Sequence, residues 1–208
     1  MDLTSCCTRK NYSLRSHFSG EQGVRFLMEI ILIRHGKPAS ANNPTVNACE
    51  YTKWIRRYNS SEVAKNSRPE SVNEQYKSFY TISSDLKRAI HSANIYVGKS
   101  PEEIDKLYRE MEIPRYKFPF QLKAWNWVYL SKLLWMLGYK GSFESFKQAK
   151  KRAGFAADQL IEVAKNQDKV VLFGHGYMNR YIRKSLIQKG WVLNSKSNAY
   201  WGVTSLET

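Results

Sequence analysis

The sequence predicts an α/β fold: a three-layer α/β/α sandwich built on a mainly parallel sheet. Two patterns in the 208 residues carry that expectation. Short β-rich apolar runs recur along the chain, and between them lie stretches whose apolar residues repeat at helical spacing. A strand that reaches its neighbour through a helix returns in the same direction, so such pairs are parallel and the helices cover both faces. With 42% hydrophobic and 13% aromatic residues, a chain of this length can bury one sizeable core.

The first apolar run, residues 29–33 (EIILI), ends against Arg34, His35 and Gly36. The second, residues 79–83 (FYTIS), leads into a stripe of Leu86, Ala89, Ile90, Ala93 and Val97, with Ser84 as the expected helix N-cap. A longer stripe runs through Phe146, Ala149, Ala153, Ala156, Leu160 and Ala164. The third strand, residues 169–173 (KVVLF), passes through Gly174, His175 and Gly176 into a helix carrying Met178, Tyr181 and Ile182. Residues 200–206 (YWGVTSL) form the fourth.

An aromatic insert at about 114–145 contains FQLKAWNWVYLSKLLWMLGYKG, residues 120–141. Its helix sets Trp127, Leu130, Leu134 and Leu137 on one face and Trp125, Tyr129, Trp135 and Met136 on others. A helix apolar nearly all round is buried or covered by a partner. It is read as a core helix that also walls a pocket, with homodimer contact or a membrane surface as the other covers. Lys123 and Lys132 interrupt it, so it is not read as a transmembrane span.

In open α/β sheets ligands gather beyond the carboxyl ends of the strands. Three strand ends there supply two arginines, Arg34 and Arg88, and two histidines, His35 and His175. Guanidinium groups match phosphate oxygens bidentately, and neutral imidazole is a nucleophile that titrates near the working pH. The glycines beside His175 allow close backbone approach, and the helix start beyond them offers free N–H groups to an anion.

Thirty-three Lys and Arg against 18 Asp and Glu give a net charge of +15, which favours a phosphorylated small molecule, a nucleic acid or an anionic surface as partner. Lys37, Lys53, Arg56, Arg57, Lys87 and Lys117 flank the motifs and would steer a polyanion if they ring the crevice. The stretch KWIRRY interleaves aromatics with cations, but no nucleic-acid-binding module is recognisable, so nucleic acid is not the expected partner. Three cysteines without metal-ligand spacing point to a reducing compartment and to no metal site. Residues 1–27 are polar and lack the apolar core of an export signal, which places the protein in the cytoplasm. They read as a disordered tail or as an extension from a misplaced start, with Met28 as the true one.

The segments LIRHG (32–36), SSDLKRAIHSA (83–93) and GHG (174–176), in this order, resemble the histidine phosphatase superfamily, the phosphoglycerate-mutase-like proteins. The resemblance runs from about Met28 to the end of the chain. It implies a phosphoglycerate-mutase-like sandwich and a histidine acid-type phosphatase, a metal-independent phosphoric monoester hydrolase acting through a phosphohistidine on His35, without a cofactor. Arg34, Arg88 and His175 would hold the phosphoryl oxygens beside His35, and LYREMEIPRY (107–116) would supply the acid, Glu110 or alternatively Glu112. The substrate would be a small phosphomonoester or a phosphohistidine. The pattern departs at Lys37 and Pro38, where most members carry an acid or amide followed by Thr or Ser, and at Ser92, which keeps the hydroxyl of the usual Thr. Residues 45–62 do not match the substrate-binding stretch of true mutases. Two other readings stand beside the phosphatase: a phosphoglycerate-mutase-type phosphotransferase and a catalytically silent phosphate-binding protein.

Overall fold

The computed structural model describes residues 27–208. The expected tail or misplaced start, residues 1–27, lies outside them but for its last residue. The chain begins with β1 (Glu29–Arg34), then a two-residue strand β2 (Thr45–Val46), α1 (Ala48–Ser60), β3 (Tyr80–Ser84) and α2 (Lys87–Val97). Short strands β4 (Glu103–Asp105) and β5 (Leu122–Lys123) precede α3 (Ala124–Met136) and the long α4 (Phe146–Gln167). β6 (Lys169–Gly174), α5 (Gly176–Gln188), β7 (Val192–Ser195) and β8 (Val203–Glu207) complete it.

Six strands form the main sheet in the order β4-β3-β6-β1-β8-β7. The four from β4 to β1 are parallel, and β8 and β7 are antiparallel additions. β1 and β6 are buried along nearly their whole length, which is why both read as continuous apolar runs rather than alternating ones. Ile30, Leu32, Val170 and Leu172 face α4 and α5, while Ile31, Ile33, Val171 and Phe173 face α2. The sheet is thus covered on both sides, as the sequence predicts. Ala149, Ala153, Ala156, Ala157 and Ala164 let α4 lie close against it.

The fourth strand starts later than its sequence suggests. Trp201 adopts a left-handed backbone (φ 61°), so residues 200–202 turn and pairing begins at Val203. Ser84 is also not a cap: it is the last residue of β3, and α2 starts from Leu86 without a side-chain cap. Among the described residues no helix is long and apolar enough to cross a membrane.

The insert builds a third cluster, separate from the two sheet faces. Tyr51, Trp54, Ile55 and Tyr58 of α1 meet Ala124, Trp127 and Val128 of α3. α1 is held by a capping box, in which Asn47 accepts from the N–H groups of Cys49 and Glu50 while Glu50 accepts from Asn47 N–H. The buried face of α3 differs from the one expected. It runs through Trp127, Val128, Ser131, Lys132 and Trp135, whereas Leu137 is 69% and Tyr129 66% exposed. Tyr51, Phe118 and Phe120 stack on Trp127, whose indole N–H is satisfied by Val46 O, so the sheet-distal cluster, not the longest apolar stripe, sets the helix rotation. Trp125 meets Trp54 and Tyr58 edge-on and stays half-buried.

The two tryptophans therefore differ in packing, Trp127 being fully buried and Trp125 half-buried. Trp127→Ala should cost about 3–5 kcal/mol in urea unfolding, and Trp125→Ala about 1–2 kcal/mol. Equal losses would contradict this packing.

Candidate active site

The parallel register of β1 and β6 pairs Arg34 with Gly174, and His35 N–H donates to Gly174 O (3.0 Å). The next residue on each strand is a histidine, so the sheet itself brings His35 and His175 together, ring centroids 5.0 Å apart. Gly36 is required by its neighbours: a Cβ there would run into the Trp201 ring and Val63. Its N–H donates to Ser92 Oγ (2.9 Å), which in turn donates to Arg88 O (2.6 Å). The hydroxyl at position 92 thus ties the His35 turn to α2. Lys37 and Pro38 are pinned by backbone: Lys37 N–H donates to Ser67 Oγ, and Pro38 bridges to Val63.

His35 is buried, with Nδ1 2.7 Å from the Gly36 carbonyl and Nε2 accepting from Arg88 Nε–H at 3.2 Å. That network assigns the proton to Nδ1 and leaves the lone pair on Nε2. His175 is fully buried, and its Nε2 lies 2.6 Å from Ser84 Oγ. Ser84 Oγ accepts from Leu86 N–H, and its own proton has no other acceptor among the described residues, so that proton is assigned to His175 Nε2, which leaves Nδ1–H to donate. Burial, then the Arg88 and Arg34 cations, hold His35 well below its ordinary range. Burial, Arg88, His35, Arg34 and Arg152 do the same to His175. Both rings are neutral.

Arg88 is fully buried; Nη1 donates to Tyr58 O (3.1 Å) and Asn59 O (3.3 Å). Arg34 donates to Asn198 O (2.7 Å) and stacks on the Tyr200 ring at 4.2 Å. After these contacts three buried N–H groups in this crevice have no acceptor: Arg34 Nε, Arg88 Nη2 and His175 Nδ1. Buried donors are rarely left unpaired, and three on two guanidiniums and an imidazole describe a place for an oxyanion.

Beside them opens a cavity of about 310 Å³. Arg34 and Gly176, the chain neighbours of His35 and His175, line it together with Glu110, Tyr58, Trp125 and Lys132. Glu110 Oε1 accepts from Met111 N–H (2.9 Å) and Met178 N–H (3.0 Å), and Oε2 from Tyr177 N–H (3.3 Å), at the start of α5. Glu112 faces elsewhere, accepting from Glu144 N–H (2.7 Å) and pairing with Arg115. Of the six cations expected to ring the crevice none lines this cavity, whose cations are Arg34, Lys132 and Arg180.

Several supporting residues escaped the sequence reading. Arg152 forms a two-pronged pair with Glu144 (2.8 Å each) and donates to the carbonyls of Leu107 and Arg109, clamping the segment that carries Glu110. Arg109 pairs the same way with Asp85 at 2.7 and 2.6 Å. Ser84, Asn198, Tyr200 and Lys132 carry no local motif, and only the fold makes them neighbours. Among the described residues no three or more His, Cys, Asp or Glu come together to hold a metal ion.

A family model described as "Histidine phosphatase superfamily (branch 1)" matches residues 60–206, a span holding Arg88, Glu110 and His175. No curated protein matches the chain by sequence. Among solved structures it is similar to the phosphoglycerate mutase of Bacillus anthracis str. Sterne, with 16% identity over 88% of each chain and a TM-score of 0.57. It is also similar to a mycobacterial glucosyl-3-phosphoglycerate phosphatase, at 16% identity over 87% of this chain and 90% of that one, TM-score 0.51. A phosphoserine phosphatase mutant from Entamoeba histolytica, in complex with phosphoserine, shares 15% identity over 85% and 89% of the two chains, TM-score 0.51. At these identities the likeness is one of fold, and it is the phosphoglycerate-mutase-like fold expected.

The neutral histidines have a consequence for stability. Below about pH 6.5 an unfolded histidine takes up a proton that the folded one refuses, so the unfolded chain binds more protons and stability falls with falling pH. The loss is at most about 1.4 kcal/mol per pH unit for each ring. Urea unfolding between pH 7 and 5.5 should show this slope, and His35→Asn should remove roughly half of it. An unchanged slope in the variant would mean that His35 protonates freely in the folded protein.

Proposed function

The chain belongs to the histidine phosphatase superfamily, and from that premise we propose that it hydrolyses a phosphomonoester through a phosphohistidine on His35, without needing a metal. The observation that carries this reading is the set of unpaired buried donors, Arg34 Nε, Arg88 Nη2 and His175 Nδ1, around a histidine whose Nε2 holds a lone pair. A phosphoryl group seated there meets the three donors with its peripheral oxygens. Arg88 Nε–H then turns from His35 Nε2 to the phosphoryl oxygen, which frees the nucleophile as the substrate arrives. Two guanidiniums supply the positive charge that the transfer needs.

His35 Nε2 attacks phosphorus and the ester P–O bond breaks. Glu110 gives a proton to the leaving oxygen, so an alcohol departs. Water then attacks the phosphohistidine, losing its proton to Glu110, and the P–N bond breaks to release phosphate and restore His35. Glu110 is the better candidate than Glu112 because it lines the cavity and is clamped there by the start of α5. The aromatic walls contributed by Tyr58 and Trp125 favour a substrate with an apolar or ring portion.

Phosphate release from a panel of phosphomonoesters should survive EDTA and fall about a thousandfold or more in His35→Ala. Glu110→Gln should slow alkyl phosphates by about 10²–10⁴-fold and p-nitrophenyl phosphate far less, because that leaving group departs without a proton. A rearranged phosphate ester without net release would instead make the protein a phosphotransferase of the mutase type. Phosphate binding by a folded chain that turns over nothing would make it a silent binder.

A further inference from the structure

Lys132 stands out on the wall of the cavity. It is 3% exposed, on the buried face of α3, yet no carboxylate lies within 4 Å of its Nζ among the described residues. Its one hydrogen bond is long, 3.3 Å to Met111 O, and it lies 4.1 Å from the Tyr177 ring centroid and 5.0 Å from that of Trp135. An ammonium has three protons to donate, so two of them are unused. One long hydrogen bond and two ring faces compensate a buried ammonium only in part, and an anion would complete its partners.

The phosphoryl group in the proposed reaction is not that partner. Lys132 donates to the carbonyl of Met111, the residue after Glu110, and lies over the ring of Tyr177, whose N–H donates to Glu110 Oε2. Lys132 therefore sits on the Glu110 side of the cavity, toward the leaving group of the proposed reaction. Arg180 lines the same cavity and adds a second positive charge.

We propose that Lys132 binds a second anionic group, a carboxylate or a phosphoryl, on the alcohol portion of the substrate, with Trp125 and Tyr129 flanking the body between the two anions. This deepens the phosphatase reading and rests on it for the position of the first anion. Each anion then meets its own cations: the transferable phosphoryl meets Arg34 and Arg88, and the second group meets Lys132.

The test uses unreactive ligands, so it stands apart from turnover. Calorimetry would compare phenylphosphonate with 3- and 4-carboxyphenylphosphonate and with benzene-1,4-bisphosphonate, on the wild-type protein and on Lys132→Met, whose unbranched apolar side chain replaces the lysine stem without its ammonium. The expected result is at least tenfold tighter binding of one or more doubly anionic ligands by the wild type, and loss of that preference in the variant. The carboxylate and bisphosphonate arms then say which group the site takes. No preference in the wild type overturns the inference whether or not the variant folds, and a preference that persists in folded Lys132→Met overturns it equally. Preference without any phosphate release from the matching esters would sink the hydrolase reading and leave the anion site standing.

Discussion

Everything at this site hangs on the register between two buried parallel strands. Arg34 opposite Gly174 is the last pair of the β1–β6 ladder, and each chain continues with one histidine. A slip of one residue would turn every side chain of β1 to the other face and carry Ile30 and Leu32 off the α4–α5 core. The apolar burial that holds the sheet together therefore also holds the two imidazoles 5.0 Å apart. Asn179 reinforces it, donating to Ile33 O on one strand and accepting from His175 N–H after the other. The glycine at 174 leaves room for that amide, since a Cβ there would collide with it.

The same arrangement stores electrostatic tension. Arg88 and Arg34 lie among neutral histidines, and the Glu110 carboxylate is the anionic charge that reaches Arg88. Burial lowers the affinity of Arg88 and both histidines for protons, and for Arg88 the Glu110 carboxylate offsets it only in part. Tyr58, Tyr200 and backbone carbonyls provide partial compensation through ring faces and lone pairs. An oxyanion would satisfy the remaining N–H groups at once, so binding and folding energies would be coupled here. Such a centre trades stability of the empty protein for preorganisation toward the bound one.

The legible part of this molecule was the part whose physics is local. Continuous apolar runs at residues 29–33 and 169–173 announced buried strands, and the alanine stripe of residues 146–164 announced a helix lying close on a sheet. The strand-end histidines and arginines followed from the rule that chemistry gathers at those ends. What local pattern could not supply was rotation and partnership. Ser84 looked like a cap because it precedes a helix, yet the sheet keeps it as a strand end and turns its hydroxyl to His175. The stripe Trp127, Leu130, Leu134 and Leu137 looked like the inner face of α3, but stacking of Trp127 between Tyr51 and the phenylalanines chose another. Arg152 and Glu144 carried no signal, being surface-type residues until the fold made them a clamp.

That division has a chemical meaning. The sheet faces and their helices position the His35 crevice, while α1 and α3 share a cluster of their own and supply the cavity wall. The two systems meet where Trp135 of α3 enters the sheet-side cluster against Phe146, and the cavity is lined from both, by Arg34 and Gly176 and by Trp125 and Val128. The burial of Lys132 and Ser131 in place of Leu133 and Leu137 fits such a wall: a helix whose only task was packing would turn its leucines inward and its lysine out. The stacking of Trp127 that sets the rotation of α3 thus also presents Val128 and Lys132 to the cavity.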